Sequence, residues 1–460
     1  MKRVILWFAV MGVLTPAHLT GQQTQPHRDG LGDITIALAG DAIITRQLRV
    51  FEEPEFLEIR DVIRGATTAF VNAEMLFFDY DEPEIIPSSQ SGGTYMRAEP
   101  ELADELAWMG FDMVSTANNH SLDFSYGGLR SNNHWLRQAG LVAAGTGENL
   151  AEARAPKYLD TPGGRVALIS VSSSFADFNR AGPQRKDMRG RPGLNPLRVE
   201  TTYYVPEAEF QQLSRVRGEL GMGGRGGDDR IQFMGATFVR SDEFAVTNVV
   251  NAYDLEEITA SVSDAKQQAN WVIVSSHTHQ GGAGVADFFS EFTHAVIDAG
   301  ADIFVGHGPH VLRGIEIYKG RPIFYSLGNF LMENETVELQ PWENYDGVDL
   351  DDHALPGDFY TARIERSGGS FPAQAAYWEA VVAVPVFRGG DLTRIDLHPI
   401  TMGHGLERPQ RGRPLAAKGD LARTIITRLQ ELSRPLGTEV NFENGIGVIR
   451  VGRAGREDGP

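Results

Sequence analysis

The feature that most constrains the fold of this chain is a recurring pattern: a short apolar run ends in side chains able to bind a metal ion. The run at residues 301–305 leads into Gly306-His307-Gly308-Pro309-His310, which places two imidazoles on one loop. Short apolar runs of this kind are typical of buried strands. Ligands of open α/β sheets bind beyond the carboxyl ends of the strands, so other runs with similar ends would share this site.

Four other apolar runs end in the same way, and together the five predict a metal site. The side chains at or just beyond the five ends are Asp41; Asn72 and Glu74; Asn119 and His120; His277 and His279; and His307 and His310. Taken singly, an aspartate after a strand is more often a turn residue or a helix cap. Mixed oxygen and nitrogen donors at successive strand ends are what a one- or two-metal hydrolase needs.

The segments between these runs have helical periodicity, so the chain alternates strand, polar loop and helix. Strands are predicted within residues 34–40, 68–71, 111–115, 166–171 and 271–275, and helices within 56–65, 101–108, 127–138 and 289–299. This alternation predicts an α/β fold in layers, with its functional loops at one edge of the sheet.

Two regions interrupt the alternation. Residues 181–230 are rich in glycine and arginine, which predicts loops or a lid, and residues 336–352 form an acidic linker. A C-terminal portion, residues 353–451, then carries a β-hairpin (381–387 and 392–397), a helix (415–432) and a strand (447–451). Pro385 makes the first hairpin strand a predicted edge strand, and residues 452–460 are predicted to be disordered.

The N-terminus, residues 1–22, reads as a secretory signal peptide. Lys2 and Arg3 precede an apolar core at residues 4–14, which has the length of a signal peptide. The alternative is a permanent anchor, which would need flanking residues to cross a hydrocarbon layer about 30 Å thick. We therefore expect a protein that is secreted, periplasmic or held at the cell envelope, with no later membrane-spanning segment.

Composition narrows the partners and the metal. The formal net charge is −19, which argues against a general nucleic-acid-binding surface, because such a surface would be basic. The chain has no cysteine, so thiolate sites and disulfides are excluded. A metal must then be held by histidine, aspartate, glutamate and asparagine. This donor set suits one or two divalent ions of Mn, Zn, Fe or Mg.

His120 is the candidate catalytic residue. It follows Asn119 directly, and a histidine beside a metal ligand is placed to protonate a leaving group as a general acid. Asp123 either orients His120 or caps the helix that follows.

Other side chains have open alternatives. His279 and His277 lie on the same side of a strand, so either could ligate, with His277 favoured. Asn72 and Asn329 are possible ligands or supports of the ligands, and His294 is expected to pack in a helix. Arg191, Asn195 and Arg198 could bind a substrate carboxylate or phosphate, or could belong to a structured loop with surface charge.

These motifs resemble the CapA/PgsA poly-γ-glutamate capsule proteins, a family with a calcineurin-like metallophosphatase fold. The resemblance covers about residues 33–335 and rests on LAGD (38–41), VNAE (71–74), ANNHSLD (117–123), the strand that ends at His277, DIFVGHGPHV (302–311) and YSLGNF (325–330). It implies a metallophosphatase-like β-sandwich flanked by helices, extended by the C-terminal hairpin and helix. It also implies metal ligation by Asp41, Glu74 (as a bridge, perhaps with Asn72), Asn119, His277, His307 and His310, with His120 as the general acid.

The sequence departs from the metallophosphatase pattern at two places. Metallophosphatases usually have a histidine two residues after the first aspartate, where this chain has Ile43, although CapA-like sequences also tend to be apolar there. The acidic residue that many CapA proteins carry shortly after the His277 motif is replaced by residues 280–282, Gln-Gly-Gly. These departures leave open whether the site holds one metal ion or two.

The resemblance implies a function in the synthesis, export or anchoring of an anionic poly-γ-glutamate-type polymer, together with other capsule-synthesis proteins. The site could then hydrolyse or transfer a phosphate ester or an amide. Two alternatives remain: a non-catalytic scaffold that handles the polymer, and a secreted metallophosphatase unrelated to capsule, because one ligand set serves many substrates.

Overall fold

The structure, a computed structural model, describes residues 32–222, 227–281, 284–369 and 371–452. The predicted signal peptide and all but the first residue of the predicted disordered tail lie outside these ranges. Within the described ranges, no helix is long and apolar enough to cross a membrane.

The largest sheet has ten strands and includes both ends of the described chain. Its strands are β1 (Ile34–Ile43), β2 (Thr68–Ala73), β5 (Met113–Ser115), β6 (Val142–Ala144), β19 (Asn329–Met332), β20 (Glu379–Arg388), β21 (Asp391–Thr401), β22 (Leu415–Ala416), β23 (Asn441–Glu443) and β24 (Ile446–Arg450). The order across the sheet is β23-β24-β21-β20-β1-β2-β5-β6, with β19 also paired to β1 and β22 to β21. The strands β1, β2, β5 and β6 run parallel, so their carboxyl ends share one edge.

A second sheet has six strands in the order β17-β18-β16-β15-β9-β8. They are β8 (Lys157–Thr161), β9 (Gly164–Ser172), β15 (Trp271–His277), β16 (Ile303–His307), β17 (Ile315–Tyr318) and β18 (Arg321–Phe324). Strands β9, β15, β16 and β18 are parallel. Two short pairs join β3 (Leu76–Phe77) to β4 (Arg97–Ala98) and β7 (Thr146–Gly147) to β10 (Gly193–Leu194).

The two large sheets pack face to face. Ile36 and Leu38 of the first sheet share one buried cluster with Leu168, Ile273 and Val305 of the second. Intervening residues point the other way, because successive side chains of a strand alternate between its faces. Residues 37 and 39 of β1 therefore meet one helical layer, and residues 272 and 274 of β15 meet another.

Helices cover both outer faces of this pair of sheets. Within the described ranges the α-helices are α1 (Pro54–Arg64), α2 (Leu102–Met109), α3 (Ser125–Gln138), α4 (Leu150–Arg154), α5 (Glu207–Glu219), α6 (Ala252–Gln268), α7 (Asp287–Asp298), α8 (Trp342–Asp346), α9 (Pro356–Arg366) and α10 (Gly419–Ser433). The first sheet packs on α1 and α2, and the second packs on α6 and α7. The predicted mixed α/β architecture is therefore confirmed.

Two local predictions are wrong. The strand that contains Pro385 is not an edge strand, since β20 pairs with β21 on one side and β1 on the other. Paired residues on the β1 side include Leu38 with Ala383 and Thr35 with Val386 but skip Pro385. This interruption accommodates a residue that has no N–H to donate.

The glycine- and arginine-rich region is also more ordered than predicted. It contains β11 (Val199–Val205) and α5, and β11 joins β12 (Arg230–Phe233), β13 (Ala236–Arg240) and β14 (Ala245–Val250) in a four-stranded sheet. Val205, Phe210 and Ile231 form its small buried core. Among the described residues this core has only three buried apolar side chains, so its pattern in the sequence is weak.

Candidate metal centre

The first sheet supplies Asp41 through the register of β1 and β2. These parallel strands pair Asp41 with Asn72, so both side chains stand at the carboxyl ends of their strands. Asn72 donates through Nδ2 to Asp41 Oδ1 at 2.8 Å, and the Gly308 N–H donates to Asp41 Oδ2 at 3.1 Å. Asp41 is fully buried, so these two donors fix a carboxylate that solvent does not reach.

The second sheet supplies two imidazoles by the same means. Strands β15 and β16 are parallel and pair His277 with His307, whose Nδ1 atoms lie 3.0 Å apart. Ser275, two residues before His277, lies with its Oγ 2.7 Å from His307 Nε2. A proton on Nε2 shared with Ser275 leaves the lone pair of His307 on Nδ1, which faces Asp41 Oδ1 at 3.7 Å.

The loop after β16 brings His310 back over the same strand ends. Gly308 has a φ of +110°, and a Cβ there would lie 2.9 Å from the Thr278 nitrogen and 3.0 Å from His277 Nε2. Only glycine fits this approach. His310 itself has a φ of +59°, and its Nδ1 lies 2.8 Å from Asn329 Oδ1. Asn329 donates through Nδ2 to the Tyr377 carbonyl, so its Oδ1 is free to accept the His310 proton.

Glu74 is a buried carboxylate without a hydrogen-bond donor. It follows β2 by one residue, is fully buried, and both of its oxygens lack a hydrogen-bond partner among the described residues. Its Oε1 lies 3.6 Å from both His277 Nε2 and His310 Nε2. Burial and then the negative charge of Asp41 raise the pKa of Glu74 well above its ordinary value. Such a group is costly to bury alone, and a cation between it and the imidazoles would satisfy it.

These side chains form three overlapping groups, and the first two share His277: Asp41, His277 and His307; Glu74, His277 and His279; and Asp41, Glu74 and His310. His277 Nδ1 faces Asp41 and His307, while its Nε2 faces Glu74 and lies 3.3 Å from His279 Nε2. A neutral imidazole has one lone pair, so His277 can ligate in only one group. We call Asp41, His277 and His307 the inner group; the outer group is Glu74 with His279 and His310, each of which joins Glu74 in a different one of these groups.

The protonation states suit metal ligands. Burial lowers the pKa of His307 to about 4 and that of His279 to about 3, and it also lowers the pKa of His277 well below the ordinary value. Burial alone would raise the pKa of Asp41, but nearby imidazoles, above all that of His310, outweigh burial and lower it. Neutral imidazoles beside an ionised carboxylate are the form in which these residues bind a metal ion. The residues present therefore fit one or two divalent ions.

The loop at residues 118–123 places His120 beside the outer group. His120 Nδ1 lies 2.6 Å from Asp123 Oδ2, and its Nε2 lies 3.9 Å from Glu74 Oε1. Asp123 also accepts the N–H groups of Gly92 and Met96, which hold its carboxylate in place. Asp123 thus orients His120, one of the two roles predicted for it.

Asn119 and Asn118 complete this loop in different ways. Asn119 donates through Nδ2 to the Gly92 carbonyl, while its Oδ1 is buried without a partner among the described residues. That oxygen is available to a ligand. Asn118 donates to the Ala73 carbonyl at 2.8 Å and to Asn72 Oδ1 at 3.3 Å, and it accepts the His120 N–H. Asn118 therefore positions both neighbouring motifs.

A cavity of about 550 Å³ opens above the outer group. Its wall includes His120, His279 and His310, together with Asn119 and Ile43. Ile43, the first of the two departures noted in the sequence, is buried. Gln280, at the second departure, has its Oε1 3.0 Å from Ser173 Oγ, and Gly282 lies outside the described residues.

The three residues predicted to bind substrate lie elsewhere. Arg191 donates to the Arg180 carbonyl, and Arg198 forms an ion pair with Asp254 through Nε at 2.7 Å. Asn195 is fully buried and donates to the Ser170 carbonyl. None of the three is among the described residues that line the cavity. His294 packs as expected, stacked on a tyrosine ring at 3.9 Å.

Four residues near the site escaped the sequence predictions. Asn118 stood inside a recognised motif, and Ser275 precedes His277 by two residues on the same strand face, so strand alternation could have indicated it. Arg313 and Arg363 line the cavity. Arg363 comes from α9, far along the chain, and no local pattern links it to the site.

Comparison with known proteins places the chain in a family. Residues 32–334, well over half of the chain, match the model of the bacterial capsule synthesis protein PGA_cap. The chain belongs to this family. The PGA_cap match contains every residue of the inner and outer groups, whereas Arg363 and Tyr377 of the cavity wall lie beyond it.

Relatives of this PGA_cap protein fall into two sets. Two uncharacterized proteins of Sinorhizobium fredii, y4sH and y4uA, are each 37% identical over 447 residues, which cover 94% of this chain and 96% of theirs. The capsule biosynthesis protein CapA of Bacillus anthracis is 24% identical over 65% of this chain and 60% of its own. The PGA biosynthesis protein CapA of Bacillus subtilis is 26% identical over 52% of this chain and 47% of its own.

Proposed function

We propose that the protein acts in the synthesis, export or anchoring of a poly-γ-glutamate-type capsule polymer, through a metal-dependent site that cleaves or transfers an amide or a phosphate ester. Membership of the PGA_cap family supports the capsule context. The single observation that carries the chemistry is Glu74, a fully buried carboxylate with no hydrogen-bond partner among the described residues, set among imidazoles. We further propose that residues 1–22 direct export, and that the protein works at the cell envelope.

The residues divide the work between the two metal groups and His120. Asp41, His277 and His307 would hold one ion, and Glu74, His279 and His310 a second, with Asn119 Oδ1 as a further donor. Bound divalent ions supply Lewis acidity and lower the pKa of water. Asp123 holds Nδ1 of His120, so Nε2 is the atom that holds or delivers a proton at the cavity wall.

The test combines metal analysis with two classes of substrate. Purified protein is analysed for bound Mn, Zn, Fe and Mg, and is then assayed with a γ-linked glutamate oligomer and with a phosphodiester. We expect His120→Ala to keep its metal and to lose about 10²- to 10⁴-fold in rate, the range for removal of a general acid. His134→Ala, at an exposed histidine of α3, is the matched control and should retain full activity.

The outcomes separate the candidate functions. Activity on the γ-glutamyl oligomer supports the proposal, whereas activity on phosphodiesters alone indicates a phosphatase unrelated to capsule. Bound metal without turnover of either substrate indicates a non-catalytic protein that handles the polymer. Ile43 favours the non-catalytic candidate, because an apolar side chain stands at the cavity wall where many metallophosphatases have a ligand.

A further inference from the structure

The described wall of the cavity above the outer group carries positive charge. Arg313 and Arg363 both line it, and no aspartate or glutamate is among the described residues that do so. The chain as a whole has a formal net charge of −19, so this wall is opposite in sign to the molecule. A concave site lined by one sign of charge concentrates ligands of the other sign.

Arg363 is tied to the metal site through an aromatic ring. Its guanidinium carbon lies 5.6 Å from the centroid of the Phe371 ring, and that ring stacks on His310 at 4.8 Å between centroids. Nη1 of Arg363 is buried and has no hydrogen-bond partner among the described residues. The acidic residue whose charge acts on it, Glu335, is itself ion-paired with Arg411. A buried guanidinium donor of this kind is satisfied when an anion binds.

Arg313 adds a second positive charge on the same wall. It follows the His310 loop by three residues, and its side chain is buried yet borders the cavity. Burial lowers the pKa of Arg313 itself to about 10, so this guanidinium remains charged at neutral pH.

We propose that Arg363, together with Arg313 on the same cavity wall, binds a free carboxylate of the substrate next to the bond that is cleaved; this inference rests on the proposed function. A γ-linked glutamate chain carries one free carboxylate beside each amide, and a planar guanidinium matches a carboxylate with two parallel hydrogen bonds. Phe371 and Tyr377, which line the same wall, would cover the methylene groups between the carboxylates. The two arginines would therefore select a polyanionic chain over a neutral one.

Binding measurements on the metal-loaded, full-length protein test this subsite. Isothermal titration calorimetry compares a γ-linked tetraglutamate, its methyl ester and inorganic phosphate. Hydrogen bonds to charged groups contribute about 1.5–3 kcal/mol, so Arg363→Gln should weaken tetraglutamate binding roughly 10- to 100-fold. Arg363→Lys keeps the positive charge but loses the planar pair of donors, so its affinity for tetraglutamate should lie between those of the wild type and Arg363→Gln. Arg366→Gln, on the same helix and outside the described cavity wall, should bind as the wild type does.

Each result decides for or against the subsite. Weak binding of the ester, loss of acid binding in Arg363→Gln and unchanged metal content would support it. Equal binding of ester and acid, an Arg363→Gln variant that binds tetraglutamate like the wild type, or phosphate that binds in preference to tetraglutamate would overturn it. If neither substrate is turned over but acid binding depends on Arg363, the proposed chemistry fails and the subsite stands. Turnover with Arg363-independent binding rejects the subsite alone.

Discussion

The substitution Glu74→Gln should change the stability of the protein in opposite directions in the metal-free and the metal-loaded state. The Glu74 carboxylate is fully buried, lacks a hydrogen-bond partner among the described residues and lies beside Asp41. Glu74→Gln keeps the shape and removes the charge. We expect the metal-free variant to be more stable than the metal-free wild type, and the metal-loaded variant to be less stable than the metal-loaded wild type.

The magnitude follows from the cost of an unsatisfied buried group. That cost is about 1–3 kcal/mol, and more when the group is charged. Glutamine leaves a neutral group unsatisfied, so the metal-free variant gains only the extra cost of the charge, on the order of 1 kcal/mol or more in the free energy of unfolding. Metal at 100 times its dissociation constant stabilises a folded protein by about 2.7 kcal/mol. Loss of one carboxylate ligand removes most of this gain in the variant.

The difference in stability between the metal-free wild type and the metal-free variant also depends on pH. The pKa of Glu74 is raised in the folded protein above the ordinary 4.5, so the folded state binds this proton more tightly than the unfolded state. Stability from this group is therefore present below pH 4.5 and is lost as the pH rises through the folded-state pKa. Metal-free wild type and variant should agree near pH 4 and diverge above it.

Chemical denaturation with and without a chelator, at several pH values, measures these differences. Glu291→Gln, at an exposed glutamate of α7, is the matched control and should change stability in neither state. The reasoning is refuted if Glu74→Gln is less stable than the wild type in the metal-free state, because Glu74 would then be satisfied within the protein.

Three further substitutions test other parts of the structure. Gly308→Ala forces a Cβ to within 2.9 Å of backbone at a positive φ, so metal content measured after dialysis should fall while the secondary structure seen by circular dichroism persists. Ser275→Ala removes the partner of His307 Nε2 and should weaken metal affinity about 10- to 100-fold in a competition titration with a chelator. Asp254→Ala leaves two arginines without their buried partner and should lower the free energy of unfolding by about 3–5 kcal/mol, measured by denaturation with urea.

The parts of the fold that the sequence predicted are those with strong periodicity. The helices α1, α2 and α3 and the strands β2, β9 and β15 lie within a few residues of their predicted positions, because each buries a regular apolar face. Pro385 misled because a single residue without an N–H is tolerated inside a sheet when the ladder is interrupted opposite it. The insertion around β11 was missed because its core is too small to leave a clear pattern.

The candidate site also has features that the sequence predicted and features that it could not predict. Strand ends predicted that the side chains able to hold a metal ion would lie together, since parallel neighbours place their last residues at one edge. The pairing of the strands into two sheets could not be predicted from the local pattern. The position of His277 in two candidate metal groups could not be predicted either, because it depends on what each of its ring nitrogens faces in the folded protein. Arg363 could not be predicted at all, because tertiary folding alone brings α9 to the cavity.

The inner group is divided between the two packed sheets, with Asp41 on β1 and His277 and His307 on β15 and β16. A partly folded chain with only one sheet formed holds either the carboxylate or the imidazoles. On the proposed metal-dependent function, an ion would be bound only after both sheets have packed together, and its uptake should come last in folding. Bound metal would then distinguish fully folded molecules from partly folded ones. A metal-sensitive probe could follow the final packing of the two sheets in real time.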